Sequence, residues 1–157
     1  PKINMTFLAP PAAKPGGGKI ACGYFVSTVL VDAGFKVDRY QLAQQASGNI
    51  LRSFLEKDDC RLTVDQPYDQ FAAAVRKAEP GIYLLGLDTH VGFLVVTQDG
   101  FRMLHSSGSQ PWCVVDEDRD HAWALKKSSW RMIGNLTSDS QVIRRWLKAD
   151  KIAVFGT

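Results

Sequence analysis

The apolar residues of this chain change their spacing at Pro80-Gly81, and that change limits what the chain can fold into. Before it they recur every three or four positions, the repeat of a helix with one buried face. After it they alternate or run together over short stretches bounded by turn residues, as strands do. A pattern of one period does not sit stably in the other conformation. Helices first and a meander of strands afterwards indicate an α+β fold.

Three helical stretches are expected before that change. "CGYFVSTVLVDA" (22–33) carries Phe25, Val26, Val29, Leu30 and Ala33 at helical spacing, with Gly34 as its C-terminal stop. Its β-branched residues lower its intrinsic propensity, so burial has to hold it. A second stretch, 39–57, runs through Leu42, Ala46, Leu51, Phe54 and Leu55, broken or bent at Ser47-Gly48. A third, 67–78, places Pro67 in its first turn and ends at Pro80-Gly81. The strands follow at 81–87, 90–96 and 101–107, with Asp99-Gly100 turning the last two into a hairpin. Residues 111–115 and 122–135 are candidates for further strands. Ser138 with Gln141 resembles a capping box for a last helix, and "KIAVFG" reads as a terminal strand. Residues 1–19, rich in Pro, Gly and Ala, read as an extended lead-in to one domain over 20–157. Their triple glycine and lysine lack the full GxxxxGK[ST] pattern of a phosphate loop.

Several functional classes are disfavoured. The net charge of +3 is mild and its basic residues are scattered, and no nucleic-acid motif is present. No run reaches the roughly 18 apolar residues that would span a bilayer. Cys22, Cys60 and Cys113 form no CxxC pair and show no metal-ligand spacing. The odd count fits one functional thiol, with Cys60 and Cys113 either bridged or inert.

Cys22 opens the first helix, where the positive end of the dipole stabilises a thiolate. His90 begins one strand of the hairpin and His105 ends the other, so both lie at its open end and are neighbours across the ladder. Taken alone, Cys22 also fits a buried core thiol and His90 a structural histidine. Taken together, they supply a nucleophile, a base and an orienting group. A cysteine and two histidines also fit zinc, but no fourth ligand of suitable spacing is evident. His121 reads as a surface residue.

"CGYFVSTVLVDAGF" and "HVGFLVVTQDGFRMLHSSG" resemble the two signature blocks of the NlpC/P60 family of papain-like cysteine peptidases, over roughly residues 20–35 and 81–109. Ala21-Cys22-Gly23-Tyr24-Phe25 stands where the family usually has Asp-Cys-Ser-Gly-Phe, which marks a divergent member. The resemblance implies N-terminal helices packed on a central antiparallel sheet; the helical insertion over 38–79 departs from the family pattern and is a candidate lid. It implies Cys22 as nucleophile, His90 as general base and then acid, His105 as the orienting third member, and the Cys22 backbone N–H as an oxyanion donor. Asp88, Ser106 and Tyr24 are candidate substrate contacts. Asp88 also fits a turn or cap, and Ser106 a polar turn. No metal or cofactor is implied. The expected activity is hydrolysis of amide bonds in bacterial cell-wall stem peptides by a monomer. The expected location is periplasmic or secreted, with any export signal outside this chain. Two other readings stay open: a catalytically silent module that binds cell-wall peptide or protein, and an acyltransferase or transglutaminase-like enzyme of the same superfamily.

Overall fold

The first helix, α1, runs Cys22–Asp32. It is followed by Gly34 at φ +109, a left-handed backbone that glycine adopts without penalty. A computed structural model describes residues 20–157; residues 1–19, with the expected lead-in and triple glycine, lie outside the described residues. The chain continues through β1 (Lys36–Val37), α2 (Arg39–Ala43), α3 (Ser47–Phe54), a 3-10 turn (Lys57–Asp59), β2 (Arg61–Val64) and α4 (Tyr68–Arg76). Then come β3 (Gly81–Leu87), β4 (Val91–Thr97), β5 (Gly100–Ser106), β6 (Val114–Asp118), α5 (Trp123–Lys127), β7 (Trp130–Asn135), α6 (Ser140–Lys148) and β8 (Lys151–Ile152).

The fold is α+β. Six strands form one antiparallel sheet in the order β2-β7-β3-β4-β5-β6. β3 to β6 are a meander, and β7 returns to the free side of β3. β1 and β8 form a separate parallel pair. The pleat sends successive side chains to opposite faces, which builds two cores. Leu84, Phe93 and Leu104 meet Phe25, Val26 and Leu30 of α1 and Ile50, Leu51 and Phe54 of α3. Leu85, Leu94 and Met103 meet Phe71 and Val75 of α4 and Leu125 of α5. Helices therefore cover both faces of the sheet. No helix among the described residues is long and apolar enough to cross a membrane.

Four local expectations are corrected. The 38–79 segment is neither wholly helical nor a lid. It contains edge strand β2, and Leu42, Ile50, Leu51 and Phe54 are almost fully buried in the α1 core. Lifting it would expose that core. The second helical stretch is broken as expected, but the break falls at 44–46 and Ser47 starts α3, its hydroxyl donating to the Leu87 carbonyl at 2.7 Å. Gly86 makes room for this contact, because a Cβ there would lie 3.2 Å from the Ser47 hydroxyl. Residues 123–127 are helical, since Ala122 and Leu125 are buried at helical spacing, and only 130–135 form a strand. The cap of α6 is Asp139, whose Oδ1 accepts from Val142 N–H at 2.8 Å; Ser138 lies one residue too early. All three cysteines are free.

Candidate active site

The site lies where the start of α1 meets the beginning of β4 and the end of β5. Ala21 precedes α1 in extended conformation, and its carbonyl accepts the Phe25 N–H at 2.9 Å. The Ser106 hydroxyl at the end of β5 donates to the carbonyl of Ile20, tying the chain entering α1 to the sheet. On the other side of Cys22, Phe25 packs edge-to-face on Phe93 of β4, with ring centroids 6.1 Å apart. Two tethers therefore hold the first turn of α1 against β4 and β5. Cys22 and His90 line one small cavity of about 40 Å³ together with Ala46, Ser47, Asp88, Thr89 and Val91. The Cys22 sulfur is met by the backbone N–H of Val91, the residue after His90, and by those of Gly23 and Cys22 itself.

His90 and His105 are in direct contact. His90 Nε2 and His105 Nδ1 are 2.7 Å apart, and the rings stand perpendicular with centroids 4.7 Å apart. Gly92 provides the space: a Cβ there would come within 2.9 Å of the His105 Cβ and 3.0 Å of the Leu104 carbonyl. His105 is buried, and its outer nitrogen, Nε2, is 2.7 Å from Glu117 Oε2 on β6. β6 pairs with β5 so that Val115 faces His105 and Glu117 faces Met103, making Glu117 the diagonal neighbour of His105. His90, His105 and Glu117 thus form a hydrogen-bonded line running from the cavity that Cys22 also lines to the edge of the sheet.

The electrostatics differ from those of a preformed ion pair. Burial pushes the Cys22 thiol above its ordinary value, opposed by the three amides that face the sulfur. Burial also lowers His90 to about 4, and neighbouring His105 acts in the same direction. At neutral pH the resting site therefore holds a protonated thiol and a neutral imidazole. The helix terminus and amides favour the thiolate, but desolvation outweighs them. Cys60 is also pushed up, to about 11, mainly by burial, so it is a poor nucleophile.

The three candidate substrate contacts have other partners. Asp88 lines the cavity, but its carboxylate accepts from the backbone N–H groups of Ser129 at 2.8 Å and Trp130 at 2.9 Å, clamping the start of β7. Its alternative reading as a cap is the one that fits. Ser106 is buried and committed to Ile20. Tyr24 is buried between α1 and α2, edge-on to Tyr40 at 5.8 Å with the Arg39 guanidinium 4.9 Å from its ring. All three shape the site's frame, and Asp88 is the one of them that lines the cavity. His121 is exposed and bonds to Asp118 at 2.7 Å.

Among the described residues no group of three or more His, Cys, Asp or Glu side chains is arranged to hold a metal. The facing nitrogens of His90 and His105 are occupied by each other. Sequence reasoning missed Glu117, because the strand expected at 111–115 stopped short of it. Extending that strand to 118 and alternating its faces would have placed this carboxylate beside the histidine strand. Compared with known protein families, curated proteins and solved structures, the chain matches none of them.

Proposed function

We propose that this protein is a thiol hydrolase, a cysteine peptidase or amidase that cleaves amide bonds in cell-wall stem peptides through a thioester. One observation carries the reading: Cys22 and His90 share a cavity at a helix N-terminus, and His90 is backed at 2.7 Å by a buried second histidine. With His90 Nε2 turned to His105, Nδ1 is the nitrogen left for the thiol. His90 takes the Cys22 proton as the sulfur attacks the amide carbonyl carbon, and the N–H groups at the head of α1 receive the developing oxyanion. The C–N bond breaks as His90 passes the proton to the departing amine. A water, deprotonated by His90, then releases the acyl group as a carboxylic acid and regenerates the thiol. Because both partners rest uncharged, proton transfer accompanies the attack. The bacterial cell-wall substrate, and with it a periplasmic or secreted location, comes from the resemblance of the Cys22 and His90–His105 blocks.

Purified muropeptides incubated with the wild-type protein should gain the mass of water at the cleaved bond. Cys22→Ala should abolish this while its far-UV circular dichroism and melting temperature match the wild type. A variant that cleaves as fast as wild type would sink the mechanism.

The uncharged resting site favours a second reading, a silent module that holds a cell-wall peptide in the same cleft. Both readings expect slow alkylation of Cys22 by iodoacetamide at neutral pH. Turnover separates them, since a silent module binds muropeptides and leaves their mass unchanged.

A further inference from the structure

The segment "DEDRD" (116–120) reads as a solvated acidic run, yet strand alternation divides it. Asp116 turns out to pair with Arg102 at 2.7 Å, and Asp118 accepts from the backbone N–H groups of Asp120 and His121. Glu117 turns the other way, onto His105. Its side chain is 26% exposed against 56% for Asp116, and the His105 side chain is 4% exposed. A carboxylate partly withdrawn from water needs a strong partner, and a buried ring nitrogen 2.7 Å away is one.

We propose that Glu117 is a positioning residue for the Cys22/His90 pair, acting through His105 to fix the tautomer of both imidazoles. An ionised carboxylate only accepts, so His105 Nε2 carries a proton. In the neutral ring that leaves His105 Nδ1 with a lone pair. The nitrogen facing it, His90 Nε2, therefore donates, and His90 Nδ1 keeps its lone pair, in a ring that lines the same cavity as the thiol. That is the form a base needs. Without the carboxylate either tautomer of His105 is allowed. When His105 carries its proton on Nδ1 it turns that proton toward His90, whose own proton moves to Nδ1 and blocks the thiol. Glu117 touches neither sulfur nor substrate.

The catalytic consequence rests on the thiol-hydrolase reading, but the tautomers can be read without turnover. Full-length protein labelled with 15N-histidine should show, at about pH 8, both His90 and His105 protonated on Nε2 in long-range 1H–15N imidazole spectra. Glu117→Leu should populate the Nδ1–H form of both rings and lower kcat roughly a hundredfold, with KM within about twofold. Glu117→Gln, whose carbonyl oxygen accepts the same proton, should restore the wild-type tautomers and most of the rate. His105 protonated on Nδ1 in the wild-type protein would overturn the proposal even if Glu117→Leu failed to fold. So would a folded Glu117→Leu protein with unchanged imidazole spectra, or with wild-type kcat where turnover depends on Cys22. If the wild-type protein has no Cys22-dependent turnover, the hydrolase reading falls and the imidazole spectra alone decide the role of Glu117.

Discussion

Burial of His90 ties the stability of the fold to pH. In the folded protein the ring takes a proton only near pH 4, whereas in the unfolded chain it does so near its ordinary 6.5. Between those values the unfolded chain binds one more proton than the folded protein, so acid favours unfolding. The gap corresponds to up to about 3 kcal/mol, at about 1.4 kcal/mol per pH unit. Sign and window follow from the depressed value. The contribution is intact above about pH 6.5, declines as pH falls, and levels off below about pH 4, where both forms are protonated. Burial of the ring and the neighbouring His105 ring from β5 set the window, while the Cys22 thiol from α1 and Asp88 line the same cavity. The assay is urea unfolding of wild type and His90→Gln, at steps from about pH 7 to pH 4. Carboxylates titrate in both proteins, so the difference in unfolding free energy isolates the imidazole. That difference should move against the wild type by about 3 kcal/mol across the window. A flat difference would refute the reasoning, because it would mean that His90 is solvated and titrates near its ordinary value.

Three further perturbations test the frame around the site. Gly92→Ala pushes a methyl against the His105 Cβ and the Leu104 backbone, neither of which is a flexible tip, so the His90–His105 contact should open. We expect a stability loss of about 1–3 kcal/mol in urea and a fall in kcat of more than tenfold; wild-type kcat would show that the contact does not matter. Asp88→Ala leaves the N–H groups of Ser129 and Trp130 without their acceptor and should cost about 1–3 kcal/mol, read as a lower urea midpoint. Phe54→Ala, inside the segment first read as a lid, should cost about 3–5 kcal/mol because Phe54 is only 1% exposed; a loss under about 1 kcal/mol would restore the lid reading.

The elements readable from sequence were those whose pattern is set by one buried face. α1, α4 and β3 to β5 are examples, and the Asp99-Gly100 turn fixed the hairpin that brings His90 to His105. What was not readable depends on partners distant in sequence. β1 and β2 are short and largely exposed, and exist through pairing with β8 and β7. The start of α3 depends on Ser47 reaching the Leu87 carbonyl, forty residues away. The roles of Asp88 and Ser106 were ambiguous for the same reason. Each has a side chain suited to a substrate, and each is instead committed to a backbone group that only the fold brings near.

Charge at Cys22 shows the same limit in its sharpest form. Position alone argues for a thiolate, because a helix N-terminus and a neighbouring imidazole both lower a thiol's pKa. Position says nothing about water, and here exclusion of water outweighs the dipole and leaves thiol and imidazole uncharged. A buried neutral pair gains nothing by ionising until an acceptor for the developing charge arrives. In the proposed mechanism that acceptor is the substrate carbonyl, which takes up the electron pair as an oxyanion while His90 takes the proton. The site would then be quiet toward alkylating reagents and active toward an amide that fits the cavity, so the rate should depend on how well the substrate fills the cleft more than on the nucleophilicity of the free thiol.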